Sequence, residues 1–486
     1  MRVKRLFLLC ALIAMVILAS IVFISCDKDT DHENNNNKDI VIDIEPEVVS
    51  KYMSLEKFEA KGFEVEKSSH TLTITKYTGN GTDITIPDIV ESNGEELTIV
   101  GIGDEAFKDN TSITQITFPN TLKTIGESAF ENAHIFELTI PGSVSVISEG
   151  AFRYCSNLKS LTLQDGVAKI EAEAFMCCNF DNISWPDSLI SIGDEAFSHC
   201  KLPAVELPAN LVSIGKQVFY CARGDFFNST VELPEGLLSI GDEAFVATSL
   251  KQIQIPNSVQ YIGYGAFRDT ELTSVVLPDN LTEIKEDTFY RCSHLRSVVL
   301  PSNLKYISSN AFQMCDLRTI VLPEGLEYID GTYTLENKKL VEIVNLSSLD
   351  LSNYWNTGYA ACHALDIYTS MDEYETHLTT TDDGMVIYEK GAVKALISYD
   401  GDATDVVVPN DITYISQYAF FGSNVKTVTI PTSVTRIKDS ALRTLSINKV
   451  IYEGTKDQWD AIIKESYWKE DAALLVSCTD QDIQQA

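Results

Sequence analysis

Leu250-Lys251-Gln252-Ile253-Gln254-Ile255-Pro256-Asn257-Ser258-Val259-Gln260-Tyr261-Ile262-Gly263-Tyr264-Gly265-Ala266-Phe267 is one copy of a phrase, L-x-x-I-x-I-P-x-x-V-x-x-I-G-x-x-A-F, that returns every 22 or 23 residues through most of the chain. A unit this short cannot bury a core by itself and must stack on its neighbours. The phrase therefore predicts a repeat solenoid, β-rich with little helix. It also points to a binding or display surface in preference to a catalytic pocket.

The Phe that ends each copy falls at 107, 130, 152, 175, 197, 219, 245, 267, 289, 312 and 420, with Leu442 in the same role. One step is longer, 26 residues between Phe219 and Phe245, and it holds Arg223-Gly224-Asp225-Phe226-Phe227-Asn228, an enlarged loop. The L-x-x-I-x-I half alternates apolar and polar residues and reads as a half-buried strand. Its inward centres run from Ile84 through Ile116, Leu138 and so on to Ile343, Leu365, Val406, Val428 and Val450. Sixteen such strands in one parallel sheet would extend about 75 Å. The Pro that follows suits a strand end, because it donates no ladder hydrogen bond. The V-x-x-I-G-x-x-A-F half brings the chain back through a short strand and a single turn, and the Phe rings are expected to stack as an interior spine. Ser148, Glu171, Lys285, Ser308 and Lys438 replace the Gly of I-G in other copies. That position accordingly needs no positive φ, and Gly there reads as a convenience.

The I-P-x-x-V-x-x-I-G-x-x-A-F-x-x-C wording, from about Ile84 to Tyr452, resembles the BspA-like, Treponema pallidum-type bacterial leucine-rich repeats. The resemblance implies a right-handed coil with a long parallel β-sheet on the concave face. It also implies a cell-surface protein, in some relatives one that binds host matrix or other bacteria. The family has no shared catalytic residues to carry over.

The N-terminus carries Arg2, Lys4 and Arg5, an apolar run from Leu6 to Ile24, and then Ser25-Cys26. This reads as a lipoprotein signal peptide over 1–25, with Cys26 as the lipidation site; an uncleaved signal anchor is the alternative. Residues 26–45, acidic and Asn-rich, read as a flexible tether. Asp27-Lys28-Asp29 resembles the surface-export signal of Bacteroidetes lipoproteins, which implies an outer-membrane lipoprotein facing outwards. The formal charge is −33. An acidic excess of that size argues against nucleic acid and against anionic lipid as partners, leaving the N-terminal lipid as the membrane contact.

Along the rest of the chain we expect an N-terminal cap over 46–83, regular repeats over 84–330 and degenerate repeats over 331–384. An inserted hairpin, a second cap, is expected over 385–405, final repeats over 406–452, and a C-terminal cap helix and strand over 453–486. The second cap is suggested by a duplicated phrase: Tyr77-Thr78-Gly79-Asn80-Gly81-Thr82-Asp83-Ile84 matches Tyr399-Asp400-Gly401-Asp402-Ala403-Thr404-Asp405-Val406. One continuous solenoid is favoured over a break into two. Thr455-Lys456-Asp457-Gln458 is a capping-box pattern, with Trp459, Ile462 and Ile463 on one face of the helix it opens.

Eleven Cys invite a disulfide or metal reading. Cys155, Cys178, Cys200, Cys292 and Cys315, however, all follow the repeat Phe by three residues, where Asn110 stands in an earlier copy and Asn424 one residue later in the last. That reads as an interior ladder of buried thiols, with oxidised pairs between neighbouring coils as the alternative. No metal, cofactor or catalytic motif is present: there is no G-x-S-x-G, no phosphate loop and no H-E-x-x-H.

The residues facing solvent on the long sheet are Thr117, Thr139, Thr162, Ser184, Glu206, Glu232, Gln254, Val276, Val299 and Val321. Three consecutive Val after seven polar residues read either as β-propensity or as a recognition patch, with Arg296 and Arg318 at its margin. Arg223, Phe226 and Phe227 on the enlarged loop form a second candidate, unless the Phe side chains fold back onto the coil. The expected partner is a protein, of host matrix or of another cell, bound by a monomer. A carbohydrate-binding role is the alternative, and the absence of aromatic residues from that row weighs against it.

Overall fold

The computed structural model describes residues 53–485, apart from 205, 229, 332, 338, 353–362 and 470–473. The signal peptide, the tether and Cys26 lie outside the described residues.

The chain coils as a β-solenoid of about 17 turns, and the described residues include two six-residue helices, Leu55–Ala60 and Lys456–Ala461. Each regular turn contributes two strands. The first, such as Ser160–Leu163, pairs in parallel with Glu137–Ile140 before it and Asn182–Ser184 after it. Alternation sends Leu161 and Leu163 inward and leaves Ser160 and Thr162 half-exposed. The second is only two residues long. Six of these, from Val146–Ile147 to Tyr261–Ile262, form a second parallel sheet. Between the two strands the residue three after Pro closes a turn onto the Pro carbonyl, as Leu211 does on Pro208 at 3.1 Å.

The outer turn explains itself through its hydrogen bonds. Glu105, Phe107 and Asp109 donate their N–H groups to the carbonyls of Glu127, Ala129 and Glu131 one turn later, at 2.9, 2.7 and 2.8 Å. The residues between them bond within the turn, as Ala106 does to Gly103. Within this turn Glu105 and Asp109 adopt left-handed backbone, at φ 55° and 58°, and Phe107 between them does not. The same two sites recur as Glu195 and His199, Glu243 and Ala247, and Asp287 and Arg291. Left-handed backbone is costly for such side chains, and the inter-turn bonds hold it.

The Phe spine forms as expected. Phe107, Phe130, Phe152, Phe175 and Phe197 are buried and stack with centroids 4.7, 5.2, 5.4 and 5.5 Å apart.

Four expectations need correction. The Gly after Ile is more than a convenience: its φ is not left-handed, but a Cβ on Gly193 would lie 2.8 Å from the Glu171 carbonyl carbon, and one on Gly241 2.4 Å from that of Gly215. Gly fits where consecutive backbones approach closely, although Glu171, Ser308 and Lys438 keep the same inter-turn bond at 2.9, 2.9 and 3.0 Å. The long sheet is not one unbroken ladder but several, of two to five strands. In the degenerate stretch the register pairs Ile343 with Ile367, so Leu365 is not an inward centre and its side chain is exposed. Ile463 is not on the C-terminal helix; it begins a strand beside Arg436–Ile437, and only Trp459 and Ile462 are buried.

The capping box at Thr455 is formed, Thr455 accepting from the Gln458 N–H and Gln458 from the Thr455 N–H. Leu474–Ser477 adds a strand beside Lys449–Tyr452.

The duplicated phrase builds the same object twice. Phe63–Ser68 with Thr71–Tyr77, and Met385–Lys390 with Val393–Tyr399, are antiparallel hairpins, each with a register shift after its second residue. The Tyr77 and Tyr399 hydroxyls accept from the N–H groups of Gly81 and Ala403 at 3.1 and 3.0 Å. Gly62 and Gly384, at φ 98° and 90°, press so close to Gly79 and Gly401 that a Cβ would sit 2.4 and 2.5 Å from the facing nitrogen. No side chain fits between them.

The apolar interior is in two bodies, one from Phe58 to Leu351 and one from Met385 to Val476. A small third cluster, Val341 with Val386, Tyr388, Ala395 and Ile397, joins them. The second hairpin is thus buried on both faces.

Candidate binding face

Parallel pairing sets Val275 and Val276 against Val298 and Val299. Val275 and Val298 point inward, which leaves the next residues outward: Val276, Val299 and Val321 are 63%, 53% and 37% exposed. The next residue in register with Val321 is Val344, which is buried. The stripe therefore runs for three turns and passes under the chain at the degenerate stretch. At its other end Thr230, Gln252, Gln254 and Ser274 line a shallow depression that Val276 borders.

The two Arg at the margin differ. Arg296 is half-exposed and reaches Asp316 and Asp400, each at 3.4 Å. Arg318 is nearly buried and bonds Asp400 and, at 3.6 Å, Asp316. Lys339 holds the other Asp316 oxygen at 2.9 Å. Asp400 belongs to the second hairpin cap, so Arg318 fastens that cap to the preceding turns and is not offered to a partner.

The enlarged loop follows the second of its two readings, with the Phe side chains folded back onto the coil. Arg223 is exposed, but Phe226 and Phe227 lie on a 3-10 turn that carries both rings inward. Their centroids stand 5.5 and 6.4 Å from that of Phe219. Burying two rings outweighs displaying them, and the loop thickens the spine.

Sequence reasoning missed the polar clamp at the joint. Glu342 is fully buried and accepts from Tyr374 Oη at 3.3 Å, Thr376 Oγ1 at 2.9 Å and the His377 N–H at 2.6 Å. Asp366, in register with it, accepts from Tyr388 Oη at 2.6 Å and pairs with Lys390. Burial raises the Asp366 carboxyl pKa, but the Lys390 and Tyr388 hydrogen bonds outweigh it and the net shift is downward. These acids are occupied in holding the joint together. The one signal for them was position: acids at sites facing the next chain segment, outside any repeat.

The cysteine ladder has a definite role. Cys155, Cys178, Cys200, Cys292 and Cys315 place Sγ 3.0–3.3 Å from the carbonyl oxygen of the Phe one turn earlier, from Phe130 to Phe289. Asn337 does the same to Phe312 at 3.0 Å. Thr248, Thr270 and Ser423 at this position instead bond the Phe carbonyl of their own turn, so Ser423, not Asn424, holds the site in the final copy. All eight described Cys are free.

Burial pushes the Cys155 and Cys292 thiols up to about 12 and raises those of Cys178, Cys200 and Cys315. At pH 8 the five are expected to resist alkylation in the native protein, while partly exposed Cys177 and Cys221 react first; peptide mapping of the labelled sites checks this. With folded values above the unfolded one, these thiols leave stability unchanged below about pH 8.5 and erode it as pH rises from there. Among the described residues no group of His, Cys, Asp and Glu is placed to hold a metal, and no helix is long and apolar enough to cross a membrane.

A solenoid of stacked two-strand turns, with its acids and thiols absorbed in structure and an open sheet face, is a repeat scaffold. The family model described as "BspA type Leucine rich repeat region (6 copies)" matches residues 76–179, 168–228, 226–341 and 397–465, and the chain belongs to that family of bacterial repeat proteins. No curated relative matches the sequence. Among solved structures, a leucine-rich repeat protein from Bacteroides ovatus is 21% identical, covering 58% of this chain and 97% of its own, with a TM-score of 0.33. The pneumococcal vaccine antigen PcpA is 14% identical over 86% of this chain and 96% of its own, with a TM-score of 0.35. A leucine-rich cell surface protein from Faecalibacterium prausnitzii is 18% identical over 83% and 97%, with a TM-score of 0.20. Likeness at this level adds nothing on function.

Proposed function

We propose that this protein is a cell-surface binding module, tethered through lipidated Cys26, that engages a protein partner on its long sheet. The observation that carries the reading is the stripe Val276, Val299 and Val321, three stacked apolar side chains exposed on consecutive turns after a run of polar ones. A contiguous apolar surface with a polar rim is the usual anatomy of a recognition site. Gln254, Ser274, Ser297 and Thr319 supply the rim, and the half-exposed Arg296 supplies a cation beside it. The acidic residues Glu206 and Glu232 earlier in the row favour a partner with a basic edge. The basic N-terminus, apolar run and Ser25-Cys26 support a lipid anchor.

Replacing Val276, Val299 and Val321 together by Thr is expected to leave stability within about 1 kcal/mol, because Thr and Val fit an open sheet face almost equally. Binding to the protein partner is expected to weaken about ten-fold or more. Immobilised matrix proteins and whole bacterial cells, read by surface plasmon resonance and by adhesion counts, provide the test. Undiminished binding by the triple variant sets the stripe aside.

A further inference from the structure

The two-residue strands carry a feature that the long sheet lacks, across the six-stranded ladder that ends at Tyr261–Ile262 and a separate ladder of three from Glu283–Ile284 to Tyr328–Ile329. The outward residue of each two-residue strand is Val146, Lys169, Ser191, Ser213 or Ser239 in the early turns, and then Tyr261, Glu283, Tyr306 and Tyr328. Tyr306 lies in register with Tyr328 and with Glu283, and Tyr261 with Ser239. The three phenols are 43%, 43% and 48% exposed. Two are tethered along the coil axis: Tyr261 Oη donates to Asp242 Oδ1 and Tyr306 Oη to Glu327 Oε2, both at 3.1 Å. The ions between the rings are matched, Lys285 with Glu283 at 2.6 Å and Lys305 with Glu327 at 2.7 Å.

We propose that this row is a binding platform for a neutral, extended polysaccharide lying along the solenoid axis. Tyr306 and Tyr328 stand on consecutive turns, at the strand spacing of about 4.8 Å, and Tyr261 stands two turns before Tyr306 with Glu283 between them; one turn is of the order of one sugar residue. Aromatic residues placed at multiples of one spacing suit a ligand that is itself a repeat, and a protein segment is not. Aromatic faces take the C–H faces of sugars, and the tethers hold the rings so that little side-chain freedom is lost on binding. Glu283, Lys305 and Glu327 stand beside the rings with oxygens and N–H groups for sugar hydroxyls. Pairing leaves the row without a local excess of cation, and the chain's charge of −33 repels polyanions, so the ligand is uncharged. A flat ladder of rings tracks a straight chain and loses a helical one. The site lies on a different sheet from the Val stripe and does not depend on it.

The test is affinity electrophoresis of the full chain in gels containing mixed-linkage β-glucan, galactomannan or arabinoxylan, with amylose and dextran sulfate as comparisons. At least one linear neutral β-glycan is expected to retard the protein, and dextran sulfate is not. Tyr306→Ala with Tyr328→Ala is expected to weaken that retardation about ten-fold or more, with the corresponding Phe pair within about two-fold of the original. Where the Ala pair melts early, Tyr306→Leu with Tyr328→Leu keeps apolar bulk without the rings and is expected to show the same loss. Val276→Thr with Val299→Thr and Val321→Thr is expected to leave glycan retardation unchanged, which separates this site from the protein-binding face. Retardation by none of the neutral β-glycans, retardation by amylose alone, or equal retardation of the Ala, Leu and original proteins overturns the proposal.

Discussion

Phe152→Ala is expected to destabilise the protein by ~3–5 kcal/mol, the usual range for truncating a fully buried Phe. Phe152 is wholly enclosed, with Phe130 and Phe175 stacked on its two faces at 5.2 and 5.4 Å. Both faces would open onto the void, and neither neighbour can collapse into it, because each is held by the next ring along. Its backbone cannot shift to compensate: the Phe152 N–H is committed to the Ala174 carbonyl at 2.8 Å, and its own carbonyl accepts the Cys178 thiol. In a solenoid each turn meets only its neighbours, so the loss concentrates at the interfaces of one turn with the two beside it. Equilibrium urea unfolding should show it, and amide exchange should place it between about residues 130 and 178. A loss below ~1 kcal/mol would mean that the rings are ornament and the strands alone hold the coil.

Glu342→Ala is the second large effect, for the opposite reason. A carboxylate buried away from water is tolerated only because its oxygens are fully used, here by Tyr374, Thr376 and the His377 N–H. Removing it leaves three donors that lie partly in reach of water, and a void beneath the segment they hold, at a cost of ~1–3 kcal/mol. The loss should fall on the joint, detaching 374–377 from the strand Glu342–Asn345, while the turns from Phe107 to Phe267 keep their protection. Amide exchange at His377, compared with that at Phe152, separates the two regions. Glu342→Gln, which keeps one acceptor oxygen, should lie between. Equal exchange at His377 in Glu342→Ala and in the parent would show that the clamp contributes nothing.

The regular turns were legible because their period is dictated by burial: each Ile, Leu and Phe of the phrase has one inward site, and the spacing repeats it. The second cap was legible as a copy, and its environment was legible too. Phe63, Ile74 and Tyr77 match Met385, Leu396 and Tyr399 on the inner face. On the outer face Glu64, Glu66 and Thr75, exposed, become Val386, Tyr388 and Ile397, buried. One hairpin ends a coil in water and its twin is covered by protein. What could not be read was contact between segments far apart in sequence. Nothing near Arg318 announces Asp400, and nothing in the phrase around Phe226 says that an inserted loop will turn its rings inward. The Tyr row lies on two-residue strands, too short for an alternating pattern to mark their outward positions. The close approach at Gly193 was hidden because tolerated replacements in other copies masked it.

The forward-facing N–H groups of the outer turns share one direction along the coil. From Glu105 to Phe312 these outer-turn groups point towards the C-terminus, while the strands of the same turns also send N–H groups the other way, as Glu171 does to the Ile147 carbonyl and Gly193 to that of Ile170. Along the outer turns, one end of the column presents bare donors and the other bare acceptors, which is the geometry for head-to-tail growth of a fibre from identical copies. Each end is closed. The Tyr77 N–H covers the Ala106 carbonyl at the start, and the carbonyls of Tyr467 and Trp468 receive the N–H groups of Ser440 and Leu442 at the finish, each at 2.9 Å. The segment after the last repeat thus takes up the outer-turn donors of the final copy.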